Sequence, residues 1–384
     1  MEKRKTENTK HEIIRLCRSG LAPRALWSEA LKRLRRVVPV DAGFFGTADP
    51  ATLLFTSSVA ESALERSRQR FLENEFLQND VNQFRNLARR HVPVGTLYQA
   101  TFHQMERSPR YRDILVPLAM GDELRAALRA NGACWGFFCL HREQSSPNFT
   151  RAEAEFVGAL VPHLAEAIRA GILLGNTAAV AESCEEPGLL LLAKDLSIAA
   201  ITPATERWLS EVAADDWPSS QELPTAIQAV AIGLLAVGHD KAVSSKPVPQ
   251  VRLRTRSGRW LVLHASWLSE SEREPRIAVI VEVARPWEIA PVIVEAYGLT
   301  PREREIAQLV MHGFSTTELS AALRISLNTV QDHLKSIFEK VGVHSRRELV
   351  AQVFAGHYEP RIRVGDSPSG NGWFRSSRNG QGRV

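Results

Sequence analysis

Apolar residues near the start of the chain recur with the period of a helix, and the apolar runs that follow them are typical of strands. The opening helix follows Pro23, and its face comprises Leu26, Ala30, Leu34 and Val37. Residues 43–46 and 52–56 are short apolar runs on either side of the Asp49-Pro50 turn signal, and they predict two strands. Residues 61–90 return to a charged, helical pattern. Helices therefore enclose the first strands.

The clearest local element is a hairpin centred on Asn131-Gly132. This dipeptide separates two apolar stretches in ELRAALRANGACWGFFCLHRE, and it supplies the positive φ angles that a tight turn requires. Thr150 and Glu153 then form a capping box, which opens a long helix. Its apolar face comprises Phe156, Leu160, Leu164 and Ile168. Strands between a first and a last helix predict an α+β domain.

A second group of strands follows the linker NTAAVAESCEEPG. The segment LLLLAKDLSIAAIT predicts two strands around Lys194-Asp195, and Thr202-Pro203 starts a helix that contains Trp208 and Leu209. Two alternating runs about Ser257-Gly258 and the run RIAVIVEV predict three more strands. One strand has an apolar row and an arginine row, which predicts one buried face and one solvated face. The rows are Val251, Leu253 and Thr255, and Arg252, Arg254 and Arg256.

Residues 299–356 carry the most regular capping signals of the chain. Three capping boxes and one further N-cap predict four short helices, and these begin at Thr300, Ser315, Ser326 and Ser345. Gly313 and Gly342 can close helices. The apolar positions can face one small core: Ile306, Val310, Leu319, Leu323, Val330, Leu334, Ile337 and Val341. With Ile325 in the turn, this is a helix-turn-helix.

The outward face of the third of these helices, residues 327–341, is polar. Gln331 can pair with adenine, Asp332 can accept from cytosine, and Lys335 can reach guanine or phosphate. Thr329 can contact phosphate or a thymine methyl group. A solvated face of an ordinary helical bundle is the competing interpretation, because acidic residues nearly balance the basic ones here.

The spacing of residues 299–349 closely resembles the LuxR-type DNA-binding domain, and the resemblance covers residues 299–356. The matching residues are Leu299, Thr300, Arg302, Glu303, Gly313, Ser326, Thr329, Val330, His333, Leu334, Lys340, Gly342, Ser345 and Arg346. The resemblance implies DNA contacts by Thr329 and Lys335 and backbone support from Arg346. Gln331 and Asp332 depart from the family pattern and imply a different operator. The full predicted DNA-binding set is Ser315, Thr316, Ser326, Asn328, Thr329, Gln331, Asp332, Lys335 and Arg346.

The resemblance also implies that the fourth helix is a dimerisation element. The residues concerned are Leu349, Val350 and Val353. An apolar face packed inside the domain is the competing interpretation.

The strand and helix order of residues 20–174 resembles the GAF domain, a small-molecule sensing fold, and the second strand group resembles a degenerate PAS domain. We therefore predict a multidomain chain of α+β sensor domains followed by an all-α four-helix LuxR-type helix-turn-helix domain. The ranges are 1–176 (GAF-like), 186–285 (PAS-like), 292–358 (helix-turn-helix) and 359–384 (a disordered Gly-, Ser- and Arg-rich tail). Five aromatic residues could line a ligand pocket or form core: Phe44, Phe45, Phe55, Trp135 and Phe137.

Composition supports a globular chain and only weakly favours a nucleic-acid partner. The 384 residues suffice for two or three domains, and 44% apolar residues can build buried cores. The formal net charge of +5 permits binding to polyanions without requiring it. The charged N-terminus has no signal-peptide pattern, and His163, Glu166 and Arg169 interrupt the longest apolar stretch. We therefore expect a cytoplasmic protein with no membrane association.

The cysteines do not suggest a disulfide framework or a structural zinc site. They are Cys17, Cys134, Cys139 and Cys184. Period-two alternation puts Cys134 and Cys139 on opposite faces of a strand, whereas Cys139 and His141 share a face. A buried cysteine beside a histidine is much commoner than a metal site, so we expect no metal and no cofactor.

Sequence motifs of the common enzyme classes are absent: the phosphate loop, HExxH, GxSxG and Cys-x-x-Cys. The opening helices also disagree with the β/α order of a phosphorylated receiver domain. We predict a non-enzymatic transcription regulator that binds double-stranded DNA as a homodimer, controlled by a small-molecule ligand or a partner. The alternative is a protein-interaction scaffold whose C-terminal bundle docks a partner instead of DNA.

Overall fold

The structure, a computed structural model, divides into two compact units, Met1–Val283 and Ala284–Val384. Val353 and the tail over 359–384, for which dimerisation and disorder were predicted, lie outside the described residues. The described residues are 2–174, 186–212, 223–238, 248–268, 275–285, 288–289, 292, 295–311 and 313–350.

The first part of the N-terminal unit is an antiparallel five-stranded sheet with helices before and after it. The helices are α1 (Glu2–Cys17), α2 (Pro23–Leu34), α3 (Ser62–Glu65), α4 (Arg68–Leu77), α5 (Phe84–Leu87), α6 (Leu97–Ala100) and α7 (Arg151–Leu174). The strands are β1 (Ala42–Ala48), β2 (Phe55–Ala60), β3 (Val94–Thr96), β4 (Met120–Ala130) and β5 (Ala133–Glu143). Their order in the sheet is β2-β1-β5-β4-β3.

The tight hairpin and the helix cap that local sequence signals predicted are both present in this part. Asn131 and Gly132 join β4 to β5 with φ angles of 52° and 89°, which confirms the tight hairpin. The backbone amide of Thr150 donates to Glu153 at 2.8 Å, and the amide of Glu153 donates back to the Thr150 hydroxyl at 3.2 Å. The capping box that starts α7 is therefore confirmed.

A β-bulge at Trp135 corrects the predicted orientation of two cysteines. Gly136 pairs with Leu128 but Cys134 pairs with Arg129, so Trp135 is an extra residue in β5. The extra residue shifts the alternation of side chains between the two faces of β5. Cys134 therefore lies on the same face as Cys139, and not on the opposite face as predicted. Their partners on β4 are four residues apart, about 13 Å along a strand. The two thiols therefore remain too far apart to share a metal, for a different reason.

Helix α7 corrects the prediction that no stretch is apolar and long enough to cross a membrane. Residues Arg151–Leu173 meet that test by length and composition. Glu166 and Arg169, the charged residues within this stretch, pair with each other: Arg169 Nε donates to Glu166 Oε2 at 2.8 Å. Leu160 and Leu164 are buried, and α7 packs on β3, β4, β5 and α1. It is a core helix of the first sheet.

The second part of the N-terminal unit contains the predicted strands, which form a second sheet. The elements are β6 (Gly188–Leu192), β7 (Ile198–Ile201), α8 (Pro203–Val212), α9 (Thr225–Val237), β8 (Gln250–Arg254), β9 (Trp260–Leu268) and β10 (Arg276–Val283). The sheet order is β7-β6-β10-β9-β8, so both sheets place their strands in the order second, first, fifth, fourth, third. The PAS likeness of residues 186–285 stays a prediction.

Helix α9 joins the two sheets into one core. It is buried from Thr225 to Leu234 and packs on α4 and β2 of the first part and on β8, β9 and β10 of the second. One hydrophobic cluster contains Phe55 and Phe137 of the first sheet, Ile227 and Val230 of α9, and Leu263 of β9. The predicted boundary between residues 176 and 186 therefore lies inside one compact unit.

The predicted solvated arginine face of β8 is wrong at Arg252, which is buried. Its Nε and Nη2 atoms donate to Asp49 Oδ2 and Oδ1, each at 2.8 Å, and the Asp49 side chain is fully buried. A charge is accepted in an interior when it is paired and hydrogen-bonded. Period-two alternation could not anticipate this, because the partner lies about two hundred residues earlier in the chain.

The C-terminal unit contains the predicted helix-turn-helix, with helices α10 (Pro301–Met311), α11 (Thr316–Leu323) and α12 (Leu327–Val341), and helical residues 346–350. Every apolar position predicted to face its core does so, with Leu323 partly buried. Gly313 and Gly342 have φ angles of 85° and 75°, as expected of residues that close helices.

Candidate nucleic-acid interface

The turn between α11 and α12 is fixed by hydrogen bonds to its carbonyl groups. Ser320 Oγ donates to the Ile325 carbonyl at 2.6 Å, and Arg302 Nη2 donates to the Leu323 carbonyl at 2.7 Å. Arg324 adopts a left-handed conformation with φ of 54°. Since these contacts satisfy the end of α11 and bend the chain sharply, they set the direction in which α12 begins.

The N-termini of α11 and α12 are capped by serine hydroxyls. Ser315 Oγ accepts from the Glu318 amide at 3.3 Å, and the Glu318 carboxylate accepts from the Ser315 amide at 2.7 Å. Ser326 Oγ accepts from the Thr329 amide at 3.1 Å and lies 2.8 Å from the Thr329 hydroxyl. Each N-terminus still presents amide groups and a partial positive charge, which suit an anion such as a phosphate.

Four polar side chains form an exposed row along α12. Asn328, Gln331, Asp332 and Lys335 are exposed and separated by three or four residues, so they share one helix face. Val330, Leu334, Ile337 and Val341 are buried on the opposite face. Thr329 and His333 are half-buried at its edge. The core thus leaves this row available to a partner.

Leu327 is an exposed residue of this face that sequence reasoning missed. Its side chain is 47% exposed at the first helical position of α12. An apolar side chain beside the row can contact a thymine methyl group. Its place before the polar residues, outside the buried period, was the available signal.

An ion pair between a buried glutamate and an exposed lysine connects α12 to α10. Lys340 Nζ donates to both carboxylate oxygens of Glu303, at 2.9 and 2.6 Å, and Ser336 Oγ donates to Glu303 Oε1 at 2.7 Å. Burial works to raise the Glu303 pKa, but the bonds from Lys340, Thr300 and Ser336 together lower it to about 2. The carboxylate is therefore ionised at neutral pH. Its bonds to Ser336 and Lys340 oppose rotation of α12 about its own axis relative to α10.

Arg346 supports the backbone before α11. Its Nη1 atom donates to the Phe314 carbonyl at 2.7 Å, and its Nη2 atom is buried without a hydrogen-bond partner among the described residues. This contact lies within the chain, and the role that the family resemblance implied for Arg346 stays a prediction. A DNA contact by Arg346 stays a prediction.

The residues predicted for dimerisation divide between core and surface. Leu349 is fully buried in the core of its own domain, and Val350 is half-buried against that core. The Leu349 side chain is therefore unavailable to a second subunit in this structure, which favours the competing interpretation at that residue.

The aromatic residues predicted to line a ligand pocket lie on both faces of the first sheet. Phe45 stacks on Trp27 of α2 with ring centroids 5.2 Å apart. Phe55 lies against Phe44 and Phe137 on the other face, at 5.6 and 5.4 Å. Trp135, the bulge residue, is fully buried. A cleft of about 910 Å³ lies elsewhere, between β3 and α7, so a pocket formed by the five aromatic residues stays a prediction.

Comparison with protein families matches two parts of the chain. Residues 298–353 match the family of bacterial regulatory proteins of the luxR type, and residues 23–168 match the GAF domain.

Curated relatives match through short segments. The tetrathionate response regulatory protein TtrR of Salmonella typhimurium is 38% identical over 66 residues, which cover 17% of this chain and 32% of that protein. The monoamine regulon transcriptional regulator of Klebsiella aerogenes is 45% identical over 56 residues, covering 15% of this chain and 25% of that protein. The chain thus spans a third or less of the length of these relatives.

Solved structures show only a low overall likeness. Escherichia coli SdiA is 9% identical, covers 91% of this chain and 97% of its own, and has a TM-score of 0.31. A phage VqmA in complex with DPO is 15% identical, covers 45% of this chain and 83% of its own, and has a TM-score of 0.25. The family matches carry more weight, and by them the chain contains a GAF domain at residues 23–168 and a domain of the luxR family of bacterial regulatory proteins at residues 298–353.

Proposed function

We propose that the chain is a transcription regulator that reads operator DNA with α12 in the major groove. The observation that carries this proposal is the exposed row of Asn328, Gln331, Asp332 and Lys335 on a helix whose other face is core. A helix of this kind fits the major groove, where each base pair presents a distinct set of donors and acceptors.

Each exposed group of the row has a matching chemistry in DNA. Gln331 would pair with adenine, Asp332 would accept from the amino group of cytosine, and Lys335 would bind guanine or phosphate. Ser315, Thr316 and Ser326 stand at helix N-termini that would face the phosphate backbone. Asp332 would be repelled by phosphate, so its side chain favours a position over a base edge.

We infer that two copies bind together and that the N-terminal unit controls them. A homodimer would read an inverted repeat, because the symmetry of the protein is matched by the symmetry of the site. The GAF domain would bind a small molecule or a partner and change DNA affinity. This function belongs in the cytoplasm, and the relatives named as transcriptional regulators suggest no enzymatic role.

Selection from a pool of random DNA duplexes tests the proposal on the full-length protein. We expect enrichment of an inverted repeat by the wild type and loss or alteration of that motif by a Gln331→Ala, Lys335→Ala variant. Glu305→Gln, an exposed change on α10 outside the row, is the control and should keep the motif. A motif that is identical in the wild type and the double variant would contradict base reading by α12.

A second candidate function is docking of a partner protein on the same helix. A cleft of about 500 Å³ runs along the C-terminal half of α12, and Gln331, Leu334, Lys335 and Phe338 contribute to it. An apolar cleft of this size could hold side chains of a partner helix. Failure to enrich any DNA sequence, together with salt-insensitive binding of a protein partner, would favour this candidate.

A further inference from the structure

A group of buried ionisable side chains lies on one face of the first sheet. Burial of so many charges is unusual, because a charge in an apolar interior must be paired or bind an ion. The side chains belong to α4, the segments that follow it, β4 and β5. They are Glu75, Asp80, Arg110, Glu123, Arg125, Cys139 and His141, all at most 3% exposed.

Three side chains of this group, of the types that can bind metal ions, lie on neighbouring strands. Glu123 of β4 is the cross-strand partner of His141 of β5, and Arg125 is the partner of Cys139. Partners in an antiparallel pair project from the same face, so all four side chains point the same way. Ligand atoms of Glu123, Cys139 and His141 lie within 4.8 Å of one another, and Glu123 Oε1 is 4.0 Å from His141 Nε2.

Other contacts of the group leave specific atoms of this triad unused. Arg110 Nε donates to Glu123 Oε2 at 2.7 Å, and Arg125 Nη1 donates to Glu75 Oε2 at 3.1 Å. Glu123 Oε1 and both ring nitrogens of His141 are buried and have no hydrogen-bond partner among the residues that the structure describes. Each unsatisfied buried polar group costs roughly 1–3 kcal/mol.

We propose that Glu123, Cys139 and His141 bind one divalent transition-metal ion such as Zn²⁺. Carboxylate oxygen, thiolate sulfur and imidazole nitrogen are its usual protein ligands, at roughly 2.0–2.3 Å. Ligands at such distances lie about 3–4 Å from one another, so side-chain rotations would close the site. The ion would bind Glu123 Oε1 and a ring nitrogen of His141, which have no hydrogen-bond partner among the described residues, although Glu123 Oε1 also lies 3.6 Å from Arg125 Nε.

The charges of the cluster agree with an added cation. Three carboxylates, those of Glu75, Asp80 and Glu123, face two guanidinium groups, those of Arg110 and Arg125. A divalent ion with the Cys139 thiolate adds one net positive charge and makes the whole cluster neutral. The thiol proton passes to solvent when the ion binds.

The protonation of the ligands is compatible with this binding. Burial lowers the pKa of His141 to about 4, so its imidazole is neutral at neutral pH, which is the form that binds metals. Burial and the nearby Glu123 carboxylate raise the pKa of the Cys139 thiol, so this thiol is protonated before the ion binds and loses its proton on binding. Arg110 also holds the other oxygen of Glu123, as outer partners of metal ligands do.

Titration of the full-length, untagged protein with Co²⁺ tests the site, since Co²⁺ replaces Zn²⁺ and absorbs light when a thiolate binds it. We expect saturation at one ion per chain, with a thiolate-to-cobalt band that Zn²⁺ removes. The band should disappear in Cys139→Ser and persist in Cys134→Ser, the matched control, which alters a buried thiol on the same strand and face. His141→Gln and Glu123→Gln should each weaken binding by at least about tenfold.

A variant with Cys139 as its only cysteine keeps the test valid if Cys139→Ser does not fold. It replaces Cys17, Cys134 and Cys184 with serine, and it should still give the one-ion band. Absence of a saturable band in the wild type, or an undiminished band in folded Cys139→Ser, would overturn the proposal. Neither result depends on DNA, so the metal site and the proposed regulator function can fail separately.

Discussion

Glu303 shows how one side chain fixes the orientation of the reading helix. Glu303→Gln removes the ion pair with Lys340 in a site where the Glu303 side chain is only 5% exposed. We expect the C-terminal domain to lose about 1–2 kcal/mol at neutral pH, because the buried carboxylate gives up its charge-assisted hydrogen bonds from Lys340 and Ser336, while the exposed Lys340 ammonium group can be hydrated instead. Chemical unfolding followed by circular dichroism measures the loss, with Glu339→Gln as an exposed control on the same helix.

The same residue predicts a pH dependence of stability. The Glu303 pKa is about 2 in the folded protein against an ordinary value of 4.5, so the folded state binds the proton less tightly than the unfolded state. Its contribution is complete above pH 4.5 and is lost as the pH falls towards 2. The stability difference between wild type and Glu303→Gln should therefore shrink over that interval. A constant difference would contradict the assignment.

Asp49 and Arg252 form a buried ion pair inside the N-terminal unit, and removal of either partner should be destabilising. Asp49→Ala leaves a buried guanidinium without its carboxylate, and we expect a loss of about 3–5 kcal/mol. The double variant Asp49→Leu, Arg252→Met removes both charges and should recover most of that loss. Equal unfolding free energies for Asp49→Ala and the double variant would show that the pairing is not the source of the effect.

At the scale of elements, two glycines separate backbone conformation from packing. Gly342 ends α12 with φ of +75°, and Gly171 lies within α7; a Cβ added at either position meets nothing within 4 Å. Gly342→Ala should destabilise its domain by about 1 kcal/mol, because alanine resists the left-handed conformation. Gly171→Ala should stabilise the helix by up to about 1 kcal/mol. Thermal unfolding of both variants checks the opposite signs.

Helix α9 makes the two sheets of the N-terminal unit a single cooperative structure. Since it contributes to the packing of both, neither sheet keeps a complete core without it. We expect a tryptophan of the first part and a tryptophan of the second part to report coincident unfolding transitions. Variants that keep either Trp27 or Trp208 as a fluorescence probe would measure this. Separated transitions would mean that the sheets unfold independently.

At the scale of the whole molecule, DNA binding should depend steeply on salt concentration. Lys335 is the exposed cation of the α12 row, and phosphate contacts release counterions when they form. A plot of the logarithm of DNA affinity against the logarithm of salt concentration has a negative slope. If Lys335 binds phosphate, Lys335→Ala should make that slope less steep by about one. Gln331→Ala should change sequence preference and leave the slope unaltered. Affinity that does not respond to salt would favour the partner-docking alternative.

Elements whose signals are local could be predicted from the sequence alone. Asn131-Gly132, the capping boxes at Thr150, Thr300 and Ser315, and the glycine at residue 342 all act on backbone within a few residues. Their effects therefore hold wherever the segment lies in the fold. The exposed row on α12 followed in the same way, because helical periodicity separates its core face from its outward face.

Contacts between residues distant in the chain became visible only in the folded structure. It buried Arg252 against Asp49, placed α9 between two sheets, and filled the domain core with Leu349. It also brought Glu123 beside Cys139 and His141, a juxtaposition set by strand register. Such contacts form because long-range packing makes burial favourable, and a period of two or of 3.6 residues holds no information about which distant partner a side chain will meet.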